Sequence, residues 1–176
     1  TTTGCTGSST IEEETADTVT KASGGEVDLQ EGGSSKIKLT IPANFSNSDA
    51  DFQIKRLDKD SVVLTTSTPD TAKQIIDEHV YQLDAVTSLS GKISSFDESI
   101  TITMTYTDAQ IVGYDESSLV IYRWDGSAWY ELDSCVVDTD ANTVSCTTSE
   151  FSTFVLFGES NVAGVSNGID NQACRG

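Results

Sequence analysis

The chain has 176 residues, 36% hydrophobic and 22% charged, which is enough apolar matter for one buried core and too much for a disordered chain. Its 28 acidic and 10 basic residues leave a formal net charge of -18, a field that repels phosphate backbones and anionic leaflets, so nucleic acid is excluded as a partner. No stretch approaches the roughly 18 apolar residues of a membrane helix, and no charged-then-apolar leader opens the chain, so membrane insertion is not expected and the sequence reads as an exported product.

Residues 1–25 hold few large apolar side chains and read as an extended arm with at most one strand, around Ile11 to Val19. The opening "TTTGC" has the outline of a lipoprotein processing site, but four residues precede Cys5 and a lipidated cysteine would come first, so an acyl anchor is not expected. The sandwich domain is placed at 26–158. Within it Ile37, Leu39 and Ile41 fall on one face of "KIKLTIP", and Ile100, Ile102, Met104 and Tyr106 alternate with threonines, the period of half-buried strands.

The helical period is scarce. Its best candidate is "PDTAKQIIDEHV", with Thr68 as cap, Pro69 in the first turn and Ala72, Ile75, Ile76 and His79 on a face. An extended crossing suits the β-branched pair equally well. Further on, Asp125-Gly126 between two aromatic runs is a hairpin signal that puts Tyr122 opposite Trp129. Pairing about Asp140-Ala141 puts Val137 opposite Val144 and Cys135 opposite Cys146, and a run from Phe151 to Phe157 closes a strand meander over 118–158. Residues 159–176 revert to tail composition.

The four cysteines are widely spaced and the only histidine is His79, a pattern for disulfides rather than zinc. Cys135 and Cys146 pair within the hairpin; Cys5 and Cys174, one in each tail, remain for a second bridge. Joined, they close a loop that contributes at most on the order of 5 kcal/mol. Many strands, turn signals between them, at most one short helix and two disulfides describe an all-β antiparallel sandwich.

The stretches "GGEVDLQEGGSSKIKLTIPANF" and "YQLDAVTSLSGKISSFDESITITMTYTD", with the run from Ser118 to Gly158, resemble the ZU-type β-sandwich module of zonula occludens proteins, netrin receptors and ankyrins, and its bacterial cell-surface relatives. The resemblance spans about residues 24–158 and implies the fold without naming a substrate. Some members of that group cut themselves between Phe and Ser of a His-Phe-Ser motif. The matching bond here is Phe151–Ser152, but residue 150 is Glu, where a serine attacking its own preceding carbonyl needs a base such as histidine.

Three further features carry candidate chemistry. Asp138, Asp140 and Asn142 form D-x-D-x-N, half of a calcium loop, but Thr143 and Ser149 stand where such a loop needs Gly and a bidentate Glu, so these residues also read as turn formers. Trp124 and Trp129, with Tyr122 and Tyr130, form either a platform for sugar or cross-strand packing, with packing favoured. Asn44-Phe45-Ser46 has the form of a glycosylation sequon. The expectation is a non-enzymatic structural sandwich, extracellular or at the cell surface, without a required cofactor, whose partners are copies of itself or other surface proteins. A glycan- or calcium-dependent adhesion module and a self-cleaving domain at Phe151–Ser152 are the alternatives.

Overall fold

The computed structural model describes residues 10–60 and 73–161. Its elements are twelve strands: β1 (Ile11–Val19), β2 (Gly25–Glu31), β3 (Ser34–Ile41), β4 (Ala50–Leu57), β5 (Lys73–Thr87), β6 (Gly91–Lys92), β7 (Ile100–Thr105), β8 (Tyr114–Trp124), β9 (Trp129–Glu131), β10 (Val136–Asp138), β11 (Thr143–Thr148) and β12 (Thr153–Ser160). They form two antiparallel sheets, one ordered β1-β4-β5-β12-β8-β9 with β6 on β5, the other β10-β11-β7-β3-β2.

The period-2 pattern sets what each strand buries. Ile37, Leu39 and Ile41 of β3 and Ile100, Ile102 and Met104 of β7 lie under the small sheet, all at 2% exposure or less. They meet Phe52, Ile54, Tyr81, Leu83, Ile121, Phe154 and Leu156 from the large sheet. Each such side chain stabilises the fold by roughly 1.5–3 kcal/mol relative to leaving it in water. Phe45, Phe52, Phe96 and Phe151 close one end of this core as an edge-and-stack cluster, with Phe96 and Phe151 centroids 4.6 Å apart.

The large sheet is apolar on both faces. Leu57, Ile75, Val80, Val120, Tyr122, Trp129, Val155 and Phe157 make a second buried cluster on the opposite side from the first. This explains why, of the two readings of this stretch, the extended one holds from Lys73 onward. From Lys73 onward the chain is β5, and its adjacent isoleucines serve opposite layers, Ile75 the second cluster and Ile76 the first. The proposed cap and first turn, Thr68 and Pro69, lie outside the described residues.

Two other expectations need correction. The segment 118–158 is not one meander: β8 and β9 pair in the large sheet, β10 and β11 belong to the small one, and β12 returns to lie between β5 and β8. The alternation "TFVLF" is buried on both faces, as a central strand requires, rather than closing an edge. The first hairpin is also shifted, with Trp124 opposite Trp129 and Tyr122 opposite Glu131. The Asp125 carboxylate accepts the N–H groups of Ser127 at 2.8 Å and Ala128 at 2.7 Å, and the Asp125 N–H donates to the Ala128 carbonyl at 3.1 Å, so the turn centres on Gly126-Ser127 rather than on Asp125-Gly126.

The strand expected inside the arm forms as β1, at the edge of the large sheet, with Glu13 opposite Arg56 and Val19 opposite Ala50. Val19 is its one buried side chain, so β1 is held mainly by main-chain bonds and by Arg56. The Arg56 Nε lies 3.2 Å from Glu12 and 3.9 Å from Glu13, and its Nη1 lies 3.5 Å from Glu31 of β2, so one cation joins both sheets. Gly24, at φ 66, turns the chain from β1 into β2. The antiparallel order from β1 through β4 and β5 to β12 makes β12 end on the side of the large sheet where β1 begins.

Candidate functional site

A single row crosses the large sheet on its core-facing side. Glu13, Arg56, Tyr81, Phe154, Arg123 and Tyr130 are successive partners from edge to edge. Tyr81 and Phe154 are fully buried in the middle, and an arginine flanks them on each side, Arg56 buried among Glu12, Glu13 and Glu31 and Arg123 half-buried. Arg123 reaches Glu150, with Nη2 2.8 Å from Oε2.

That ion pair stands beside the Phe151–Ser152 bond. The Phe151 ring is buried against Phe52, Phe96 and Phe154, and the Ser152 carbonyl accepts the Leu83 N–H at 2.9 Å. Glu150, in the place of a general base, is engaged by Arg123 instead. His79 is remote: Ser152 sits opposite Leu83, and four residues along β5 amount to roughly 13 Å.

His79 occupies a different structure, a bulge where β5 gains residues against β12 between Ile75 and Val80. Glu78 takes a left-handed φ of 67 there. The His79 ring is 1% exposed, with Nε2 3.2 Å from Gln110 Oε1 and Nδ1 3.4 Å from the Tyr81 hydroxyl, while Gln110 donates to Glu78 at 3.2 Å. Burial pushes the Tyr81 hydroxyl well above the ordinary tyrosine value, against the pull of Arg56.

The second hairpin has the expected register. Val137 is opposite Val144, and Cys135 and Cys146 are bonded. Cys5 and Cys174 lie outside the described residues. At the hairpin tip Asp138 accepts the N–H groups of Asp140 at 3.1 Å and Ala141 at 3.0 Å, and Asn142 donates to Asp108 at 2.8 Å from a left-handed φ of 53. These groups act as turn formers. No cluster of three or more His, Cys, Asp or Glu side chains able to hold a metal ion occurs among the described residues.

The two indoles meet at 5.2 Å, and Trp129 also packs edge-on to Phe157 at 5.7 Å, so both rings belong to the second cluster. On the same face Lys73 donates to the Tyr122 hydroxyl at 2.7 Å, and that hydroxyl donates to Glu131 at 3.0 Å. Burial works against the Lys73 charge, but the bond to Tyr122 and then Glu131 outweigh it and raise its pKa. Asp125, in the loop, is held below the usual carboxylate range by the N–H groups of Ala128 and Ser127.

Tyr130, one residue on, points the other way and is 52% exposed. It borders a polar cleft of about 250 Å³ together with Arg123, Asp133, Thr147, Ser149 and Glu150. Sequence reasoning placed Tyr130 with the indoles and did not find Arg123; the alternation along β9, apolar Trp129 then Tyr130, is the signal that separates them. No protein-family model and no curated protein matches the chain.

Proposed function

We propose that this chain is a non-enzymatic β-sandwich of the cell exterior that serves structurally, as a module or subunit of an extracellular appendage. The observation that carries this reading is the Cys135–Cys146 bridge across the β10–β11 hairpin, because disulfides persist in oxidising compartments outside the cytosol. No helix among the described residues is long and apolar enough to cross a membrane.

Two further features support the same reading. Polar groups beside the Phe151–Ser152 bond are committed to structural contacts, Glu150 to Arg123 and the Ser152 carbonyl to Leu83. The β1 edge carries Glu12, Glu13, Glu14 and Asp17, charges that discourage indiscriminate strand pairing and leave association to specific surfaces. The resemblance to the ZU-type module belongs to this proposal and fits two antiparallel sheets.

Electron microscopy of material from the native source tests it. Filaments or surface appendages labelled by an antibody against the chain are expected; a label confined to the cytosol, or a strictly monomeric protein at high concentration, overturns it.

A further inference from the structure

We propose that the cleft beside Tyr130 is a binding site for one neutral pyranose ring. This goes beyond the structural role and does not depend on it. The indoles pack in the second cluster, the reading the sequence favours, whereas Tyr130 borders a cleft beside side chains that hydrogen-bond.

The cleft is built from both sheets. Arg123 and Tyr130 are direct partners on β8 and β9 of the large sheet, and Thr147 and Thr148 end β11 of the small one. Their positions are set by the core: Arg123 is paired to Phe154, and Ser149 accepts the Phe96 N–H through its carbonyl at 2.8 Å. A ligand therefore meets groups already in place, which lowers the ordering cost of binding.

The chemistry of the lining selects the ligand. A pyranose offers an apolar C–H face and a rim of hydroxyls. The exposed Tyr130 ring takes the face, while the Arg123 guanidinium donates to one ring substituent and the Glu150 carboxylate, 2.8 Å from it, accepts from a neighbouring hydroxyl. Thr147 and Ser149 add hydroxyls at the rim. A cleft of about 250 Å³ limits occupancy to about one ring.

Charge narrows the class further. Glu131, Asp133 and Glu150 outnumber Arg123 around the cleft, in a chain of net charge -18. A uronic or sialic acid would bring a carboxylate into that field. Neutral sugars face no such penalty.

Saturation-transfer NMR on the full chain tests this with a panel of neutral methyl pyranosides and a methyl glucuronide as charged control. At least one neutral pyranoside is expected to bind with a dissociation constant on the order of 1 mM, the range of a single ring, and to shift the Tyr130 ring resonances. Tyr130→Ala is expected to weaken binding about tenfold or more, Tyr130→Phe to keep it, and Ser149→Trp, at an exposed cleft position, to block it. Absence of binding by every neutral pyranoside, binding that survives both Tyr130→Ala and Ser149→Trp, or equal binding of the glucuronide overturns the proposal. Thermal unfolding of each variant separates lost binding from lost fold.

Discussion

Arg123 and Glu150 form a 2.8 Å ion pair beside the bond where a self-processing relative would be cut. The residue in the place of a general base is thus already engaged, and His79 lies roughly 13 Å away along β5. Intact mass is expected to show no fragment beginning at Ser152, in the parent chain or in Glu150→Gln. Because Glu150 is 49% exposed, the substitution is expected to cost less than about 1 kcal/mol in urea unfolding. A fragment starting at Ser152 would restore the self-processing reading.

Gly24 and Gly32 both have positive φ, but their surroundings differ. A Cβ on Gly24 would overlap the Ile41 carbonyl oxygen, whereas one on Gly32 meets nothing within 4 Å. Gly32→Ala carries backbone strain alone, about 1–2 kcal/mol. Gly24→Ala adds a clash with backbone at the turn between the sheets and is expected to cost more than Gly32→Ala by at least about 1 kcal/mol, read from urea midpoints. Equal losses would mean that the Gly24 turn yields freely.

The Cys135–Cys146 bridge closes a separation of 11 residues, which in the chain-entropy account corresponds to about 3 kcal/mol. Replacing both cysteines by alanine is expected to lower stability by up to that amount. Non-reducing intact mass of the parent chain distinguishes one bridge from two: two hydrogens below the reduced formula for Cys135–Cys146 alone, four if Cys5 and Cys174 are also joined.

Three tyrosines hold their protons above the ordinary value of 10.0: Tyr81 and Tyr106, where burial dominates, and Tyr122, where burial outweighs the Lys73 bond. Tyr106 also donates to Glu116 at 2.8 Å. A raised folded value means that the stability is fully present below 10.0 and is lost as pH rises, because the unfolded chain ionises first. Urea midpoints are expected to fall between about pH 9 and about pH 11, with a shallower fall in Tyr106→Phe. A pH-independent midpoint would show these hydroxyls titrating freely.

Much of this architecture is legible in the alternation of apolar residues. Ile37, Leu39 and Ile41, or Ile100, Ile102 and Met104, announce strands with one core face, and the pairing of Val137 with Val144 follows from the cysteines beside them. Where a strand is buried on both faces the signal weakens: Ile75-Ile76 fits a helix or a central strand, and only the second apolar layer decides. The Trp124–Trp129 register was hidden because Asp125 accepts the Ser127 and Ala128 N–H groups with its side chain and leaves Gly126, at φ 103, to make the turn one position further along. Arg123 was invisible for another reason. A charged residue in an apolar run reveals nothing until the partner strand and Glu150 are in place.

The direction of β1 and β12 has a mechanical meaning. The described chain enters at Thr10 and leaves at Asn161 from the same side of the large sheet, three strand spacings or about 14 Å apart across it. A domain tethered through those two strands hangs as a pendant from one pole. The Tyr130 cleft lies level with Glu13 and Phe154, about ten ångströms along the strands from Thr10 and roughly twice that from Asn161, so a ligand there is displaced from the chain exit mainly along β12.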